Sequence, residues 1–180
     1  MRLLRSSLVP LSLTLALVSS SCSSRPGPGD VPSTYTDRPD GVLAALAGAE
    51  SAQLFALHPY PFQREIAGEG ELPEDRLFHS YEILGSAPSQ GVDATDHLLA
   101  LVEYGIEDSD GMVAACFNPR HGIRVVKDGV AHDFVICFEC LSMQTYRDGG
   151  RDGGHMTSER YAHAVTRVFE AHGLTIHRDE

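Results

Sequence analysis

HGIRVVKDGVAHDFVICFEC, residues 121–140, holds two apolar runs on either side of Asp128-Gly129 and ends in a C-x-x-C. Asp-Gly readily takes positive φ at both central positions of a type I′ turn, so the stretch predicts a β-hairpin. A two-residue turn sets the register: Arg124 faces Asp133, Ile123 faces Phe134 and His121 faces Ile136. One pair is then oppositely charged and another wholly apolar, as stable cross-strand pairs require. Alternation assigns the faces. Phe117, Ile123, Val125, Phe134, Ile136, Phe138 and Cys140 make a core-directed face; Cys116, Arg120, Arg124, Asp133, Cys137 and Glu139 lie on the other. Extended over about 116–141, this hairpin is expected at the centre of an antiparallel sheet.

The same alternation bears on the cysteines. A regular strand sends the two sulfurs of the C-x-x-C to opposite sides of the sheet, so joining Cys137 to Cys140 requires a bend at Phe138-Glu139. Pro119 cannot donate to a ladder and supplies a second place for a break. A one-residue slip there flips Cys116 and brings it beside Cys140, which makes Cys116 and Cys140 the disulfide candidate. Three readings stay open: buried or mixed free thiols, with Cys140 packing as a small hydrophobe; that disulfide; or a Cys₃His zinc site of Cys116, His121, Cys137 and Cys140. A thioredoxin-like centre fits less well, because its C-x-x-C opens a helix and no helical pattern follows here. Arg120 lies diagonal to Glu139 and reads as half of a cross-strand ion pair, and His121 reads as a packed histidine. No Walker loop, dinucleotide fingerprint, nucleophile elbow or zinc-protease spacing occurs, so no catalytic or cofactor-binding residue is assigned.

The N-terminus carries a different signal. MRLLRSSLVPLSLTLALVSSSCSS (1–24) runs from Arg2 and Arg5 through a short apolar segment to small residues, the order of a secretory signal. The apolar run is too short to span a bilayer. Cys22 after three serines resembles the lipobox of bacterial lipoproteins, although Ser19 stands where leucine is usual; cleavage near Ser21 or Ser24 without lipidation is the alternative. On the lipobox reading residues 1–21 are a lipoprotein-type signal peptide and Cys22 is lipidated, and two acyl chains suffice for stable anchoring. Residues 22–41, rich in Pro, Gly, Ser and Asp, form a flexible tether. Residues 42–180 form a single domain, a length suited to one hydrophobic core. The formal net charge is -11 and becomes more negative once Arg2 and Arg5 are removed, so nucleic acid is a poor partner. Export also places the thiols where they tend to oxidise, and with Cys22 lipidated an odd number remains.

Elsewhere, Gly41–Pro61 begins as a small-residue helical stretch and continues into a strand, 51–58. Residues 62–76 read as a loop and 78–85 as a strand. Asp93 is the expected N-cap and Gly105 the expected C′ residue of a helix over 94–104. A second helix, 158–172, carries Tyr161, Ala164, Val165, Val168 and Phe169 on one face, with Thr157 or Ser158 as cap and Gly173 as stop. RDGGRDGG, 147–154, lacks the ligand spacing of an EF-hand and reads as a flexible loop. The fold class expected is α+β: an antiparallel sheet with two to three helices packed on it.

CFNPRHGI (116–123) followed by ICFEC (136–140), after EILGS (82–86), resembles a group of small, uncharacterised bacterial lipoproteins and exported proteins that carry the same motif pair. The resemblance covers about half the mature domain and implies export and an intact domain; it transfers no functional residue. Function is therefore expected at a coarse level. The chain reads as an exported, membrane-anchored lipoprotein of the cell envelope, with its domain in the periplasm or outside the cell. It points away from an enzyme and towards a binding or envelope-structural module, whose protein or small-molecule partner the sequence does not name. The alternative is a zinc-binding or thiol-active extracytoplasmic protein using Cys116, Cys137 and Cys140.

Overall fold

The computed structural model describes residues 41–62 and 72–178; the signal segment, Cys22 and the tether up to residue 40 lie outside them. The chain runs β1 (Ser51–Pro61), β2 (Leu77–Phe78), β3 (Tyr81–Gln90), α1 (Val92–Glu107), β4 (His121–Lys127), β5 (Val130–Cys137), β6 (Ser142–Arg147), β7 (Gly150–Met156) and α2 (Ala162–Ala171). Seven strands form one sheet in the order β2-β3-β1-β4-β5-β6-β7, and every neighbouring pair is antiparallel. The protein is thus a mixed α+β fold with two α-helices on an antiparallel sheet.

β4 and β5 pair with Arg124 opposite Asp133, Ile123 opposite Phe134 and His121 opposite Ile136. Asp128 and Gly129 take φ of 52° and 79° at the turn. The ladder is shorter than the expected 116–141. It stops at His121 on one strand and Cys137 on the other, because Pro119 has no N–H to donate and the chain turns after Cys137. Phe117 therefore lies outside the ladder, packed near Tyr81 rather than on the helix-covered face.

Two apolar clusters sandwich the sheet. Leu54, Ile123, Val125, Phe134, Ile136 and Met143 meet Leu98, Leu101 and Val102 of α1 and Val165 and Phe169 of α2. On the opposite face Phe55, Leu57, Phe78, Tyr81 and Val135 form a smaller cluster. Phe78 lies flat against β4 at Gly122, where a Cβ would come within 2.8 Å of its ring.

α1 starts two residues earlier than expected, with Gly91 at φ 98° in the N-cap position and Asp93 inside the first turn. It also runs through Gly105. That glycine is a close-approach site rather than a terminus, since a Cβ there would meet Thr157 Oγ1 at 2.6 Å. Gly173, at φ 78°, does follow α2 as expected. RDGGRDGG departs most from its sequence reading. Asp148 and Gly149, at φ 46° and 81°, repeat the conformation of Asp128-Gly129, and the flanking residues form the β6–β7 hairpin. Glycine hides the strand, because it supplies no alternating side chains for a periodicity to register.

The segment before β1 is strapped to α1 by two buried carboxylates. Glu103 accepts from the backbone N–H groups of Val42 and Leu43 at 2.8 and 2.7 Å, and Asp96 accepts from Gly48 at 2.9 Å. Lys127 Nζ donates to the Ala47 carbonyl at 3.0 Å. The first described residues of the chain are thus fastened to the helix layer.

Candidate functional site

The turn after β5 brings three sulfurs together. Past Cys137 the chain reverses through residues 138–141, with Leu141 at φ 54° and its N–H bonded to the Phe138 carbonyl at 3.2 Å. This is the bend at Phe138-Glu139 that a C-x-x-C bridge requires. Cys137 and Cys140 form a disulfide with Cα atoms 5.1 Å apart. The Cys116 sulfur stands 3.1 Å from that of Cys140. The expected partners Cys116 and Cys140 are therefore in contact, but the bond present joins Cys140 to Cys137.

Backbone bonds on both sides hold Cys116 over the bridge. Two residues before it, the Ala114 N–H donates to the Cys140 carbonyl at 3.1 Å; two residues after it, the Asn118 N–H donates to Cys140 Sγ at 3.2 Å. The Cys140 N–H in turn donates to Cys137 Sγ at 3.2 Å. Exposure separates the three. Cys137 and Cys140 are 1% and 0% exposed, whereas Cys116 is a free, exposed cysteine. A buried disulfide thus has a solvent-accessible thiol against one of its sulfurs. Arg120 braces the turn through a 2.7 Å ion pair with Glu139, as the diagonal pairing suggested.

Cys116 opens on a cleft of about 600 Å³ between the segment 106–117 and the β6–β7 hairpin. Val113, Phe117, Met143 and Met156 supply apolar wall; Gln144, Arg151 and His155 supply polar groups. Of its lining residues Val113 and Met156 are exposed, as is Met112 beside Val113 in the chain.

His121, the expected fourth zinc ligand, does not join the sulfurs. Its Nε2 lies 3.0 Å from Thr166 Oγ1, and its ring is wedged edge-on between Phe138 and Phe169. Strand alternation sends it to the helix-covered face, away from Cys137. Burial, together with the nearby Arg120 charge, pushes its pKa down to about 3, so it is a neutral core imidazole at ordinary pH. Among the described residues no group of three or more His, Cys, Asp or Glu side chains is arranged to hold a metal ion.

The opposite sheet face carries a polar cluster that the sequence reading missed. Arg124 donates to both carboxylate oxygens of buried Asp133 at 2.7 and 2.6 Å, and His79 Nε2 lies 2.7 Å from Asp133 Oδ2. His79 stacks on Tyr146 with centroids 3.6 Å apart. It reaches there from the tight β2–β3 turn, where His79 and Ser80 hold φ of 49° and 77°. Burial pushes the Asp133 carboxyl up, but the hydrogen bonds from Arg124 and His79 outweigh it and hold the pKa below its ordinary value. The Arg124–Asp133 half is visible in the hairpin register; His79 is 54 residues away in sequence and has no local signal.

Comparison of the chain with protein-family models, with curated proteins and with solved structures finds no match. The residues and their geometry carry the functional reading.

Proposed function

We propose that this protein is an exported thiol–disulfide exchange protein, held at the cell envelope by lipid on Cys22, in which Cys116 connects a buried disulfide to the surface. One observation carries the reading: the exposed Cys116 sulfur lies 3.1 Å from Cys140, whose bonded partner Cys137 is buried. Exchange proceeds by attack of a thiolate on a disulfide sulfur, and access limits it. An outside thiol cannot reach Cys137 or Cys140 directly. Cys116 can: its thiolate attacks Cys140 Sγ, the Cys137–Cys140 bond breaks, and Cys137 leaves as thiolate while a Cys116–Cys140 disulfide forms. No oxidant is consumed. A partner thiolate then attacks Cys116 and releases Cys140, and the partner's second thiolate displaces Cys116. The partner leaves as a disulfide, and two electrons remain on the domain's thiols. Every step reverses, so the surroundings set the direction.

The full chain with Cys22→Ala isolates this chemistry. Cys116 is expected to be alkylated by a maleimide under native, non-reducing conditions, with Cys137 and Cys140 alkylated only after reduction. Cys116→Ser is expected to slow reduction of the remaining disulfide by a dithiol by about tenfold or more, the factor that about 1.4 kcal/mol of barrier supplies. An unreactive Cys116, or one zinc per chain by elemental analysis, overturns the proposal; the first result returns the chain to a binding or envelope-structural module. The anchor is tested separately by palmitate labelling of the wild type, with Cys22→Ala as control.

A further inference from the structure

We infer that the substrate of the Cys116 thiol is an extended, cysteine-bearing segment of another polypeptide that lies along β7, rather than a small soluble thiol; the inference rests on the exchange reading above. β7 ends the sheet, and no described strand pairs with its outer side. Such an edge offers a row of unpaired N–H and C=O groups, a chemistry that only another extended backbone matches rung for rung. Six of its seven residues are exposed; a register shift between Arg151 and Gly153 interrupts the ladder with β6, so the regular run of rungs is Gly153–Met156, beside the cleft. The edge leads to the thiol. Arg151, Gly154, His155 and Met156 of β7 line the same cleft as Cys116.

The margin of that cleft agrees with a peptide. Val113 and Met156, which line it, are 57% and 44% exposed, and Met112, next to Val113 in the chain, is 64% exposed. A small charged thiol gains little from such exposed apolar surface, whereas apolar residues flanking a cysteine in an extended chain bury against it. Methionine suits such a place because its unbranched thioether adapts to varied side chains. Among the described residues Arg151 is the one formally charged side chain lining the cleft, so a carboxylate on the bound segment is favoured over a cation.

The test follows release of 5-thio-2-nitrobenzoate from mixed disulfides of that leaving group as Cys116 in the full chain carrying Cys22→Ala displaces it. The probes are an eight-residue peptide with a central cysteine flanked by Leu, Val and one Glu, the same peptide with Ser and Gly flanks, the first peptide with alternate backbone nitrogens methylated, and the symmetrical small aryl disulfide. The apolar peptide is expected to react about tenfold faster than the Ser/Gly peptide, the ratio that about 1.4 kcal/mol of binding supplies. N-methylation is expected to abolish the advantage. Val113→Ser and Met156→Ser, both at exposed positions, are expected to bring the ratio of the apolar-peptide rate to the Ser/Gly-peptide rate towards one. Equal rates for all three peptides overturn the docking inference while the exchange reading stands. Retained preference after N-methylation overturns pairing along β7. Absence of release from the aryl disulfide overturns the exchange reading itself, and this inference with it.

Discussion

Asp133 and His121 sit on adjacent strands in oppositely made environments, and the difference sets how the protein meets acid. Asp133 is buried and ionised because Arg124 and His79 bond both of its oxygens. Its folded pKa is depressed, so its contribution is fully present above about pH 4 and is lost as pH falls through the folded value. Asp133→Ala strands a partly exposed guanidinium and an imidazole, and is expected to cost about 3 kcal/mol in urea unfolding at pH 7. His121 acts in the same direction from the other charge type. Its unfolded pKa near 6.5 exceeds its folded value of about 3, so the unfolded chain takes the proton first. Stability tied to His121 is complete above pH 6.5 and falls by up to about 1.4 kcal/mol per pH unit between there and pH 3. In His121→Gln the urea midpoint is expected to vary less over that window; an unchanged slope would refute a neutral, buried His121. Only part of this is visible locally. The register places Arg124 on Asp133, but the Phe138 and Phe169 rings around His121 come from a turn and from α2.

At the scale of elements, the strap before β1 and the β6–β7 hairpin show where pattern reading succeeds and stops. Val42, Leu43 and Gly48 hand their N–H groups to Glu103 and Asp96, two carboxylates of α1 that lie 48 or more residues away in sequence. Glu103→Ala leaves two N–H groups of a partly buried segment without acceptors and is expected to cost about 2–3 kcal/mol. Hydrogen exchange should report the loss at residues 42–48 first, with β4 and β5 protected as before. The β4–β5 hairpin is legible because apolar alternation and an Asp-Gly turn agree over adjacent residues. β6–β7 carries the same turn, but Gly153 and Gly154 erase the alternation, so only pairing against Met143 to Thr145 reveals a strand. Gly149, at φ 81°, is the position where this matters energetically. Gly149→Val is expected to destabilise the hairpin by roughly 1–2 kcal/mol, the cost of a side chain in the left-handed region, seen as faster exchange in β6 and β7 alone.

For the whole molecule, the disulfide is a minor stabiliser. It closes a loop between residues only three apart, and chain entropy then assigns it about 2 kcal/mol. The apolar clusters on both sheet faces hold the domain instead. Cys137→Ala with Cys140→Ala is expected to lower unfolding stability by about that amount while the far-ultraviolet circular dichroism stays native; loss of the fold would show that the bridge is structural first. This modest role fits a bond free to move between sulfur pairs. Acidic charge, the α+β class, the β4–β5 register and α2 with its glycine stop were all determined by the amino-acid sequence alone, because each depends on residues close together in the chain or on composition. The sulfur cluster was decided only by tertiary structure. Cys116 lies 24 residues from Cys140, and alternation alone sets them on opposite faces. The reversal after β5, with Ala114 and Asn118 both bonded to Cys140, brings them into contact. A ladder's periodicity holds only while the ladder lasts, and the chemistry proposed for this protein lies just beyond its end.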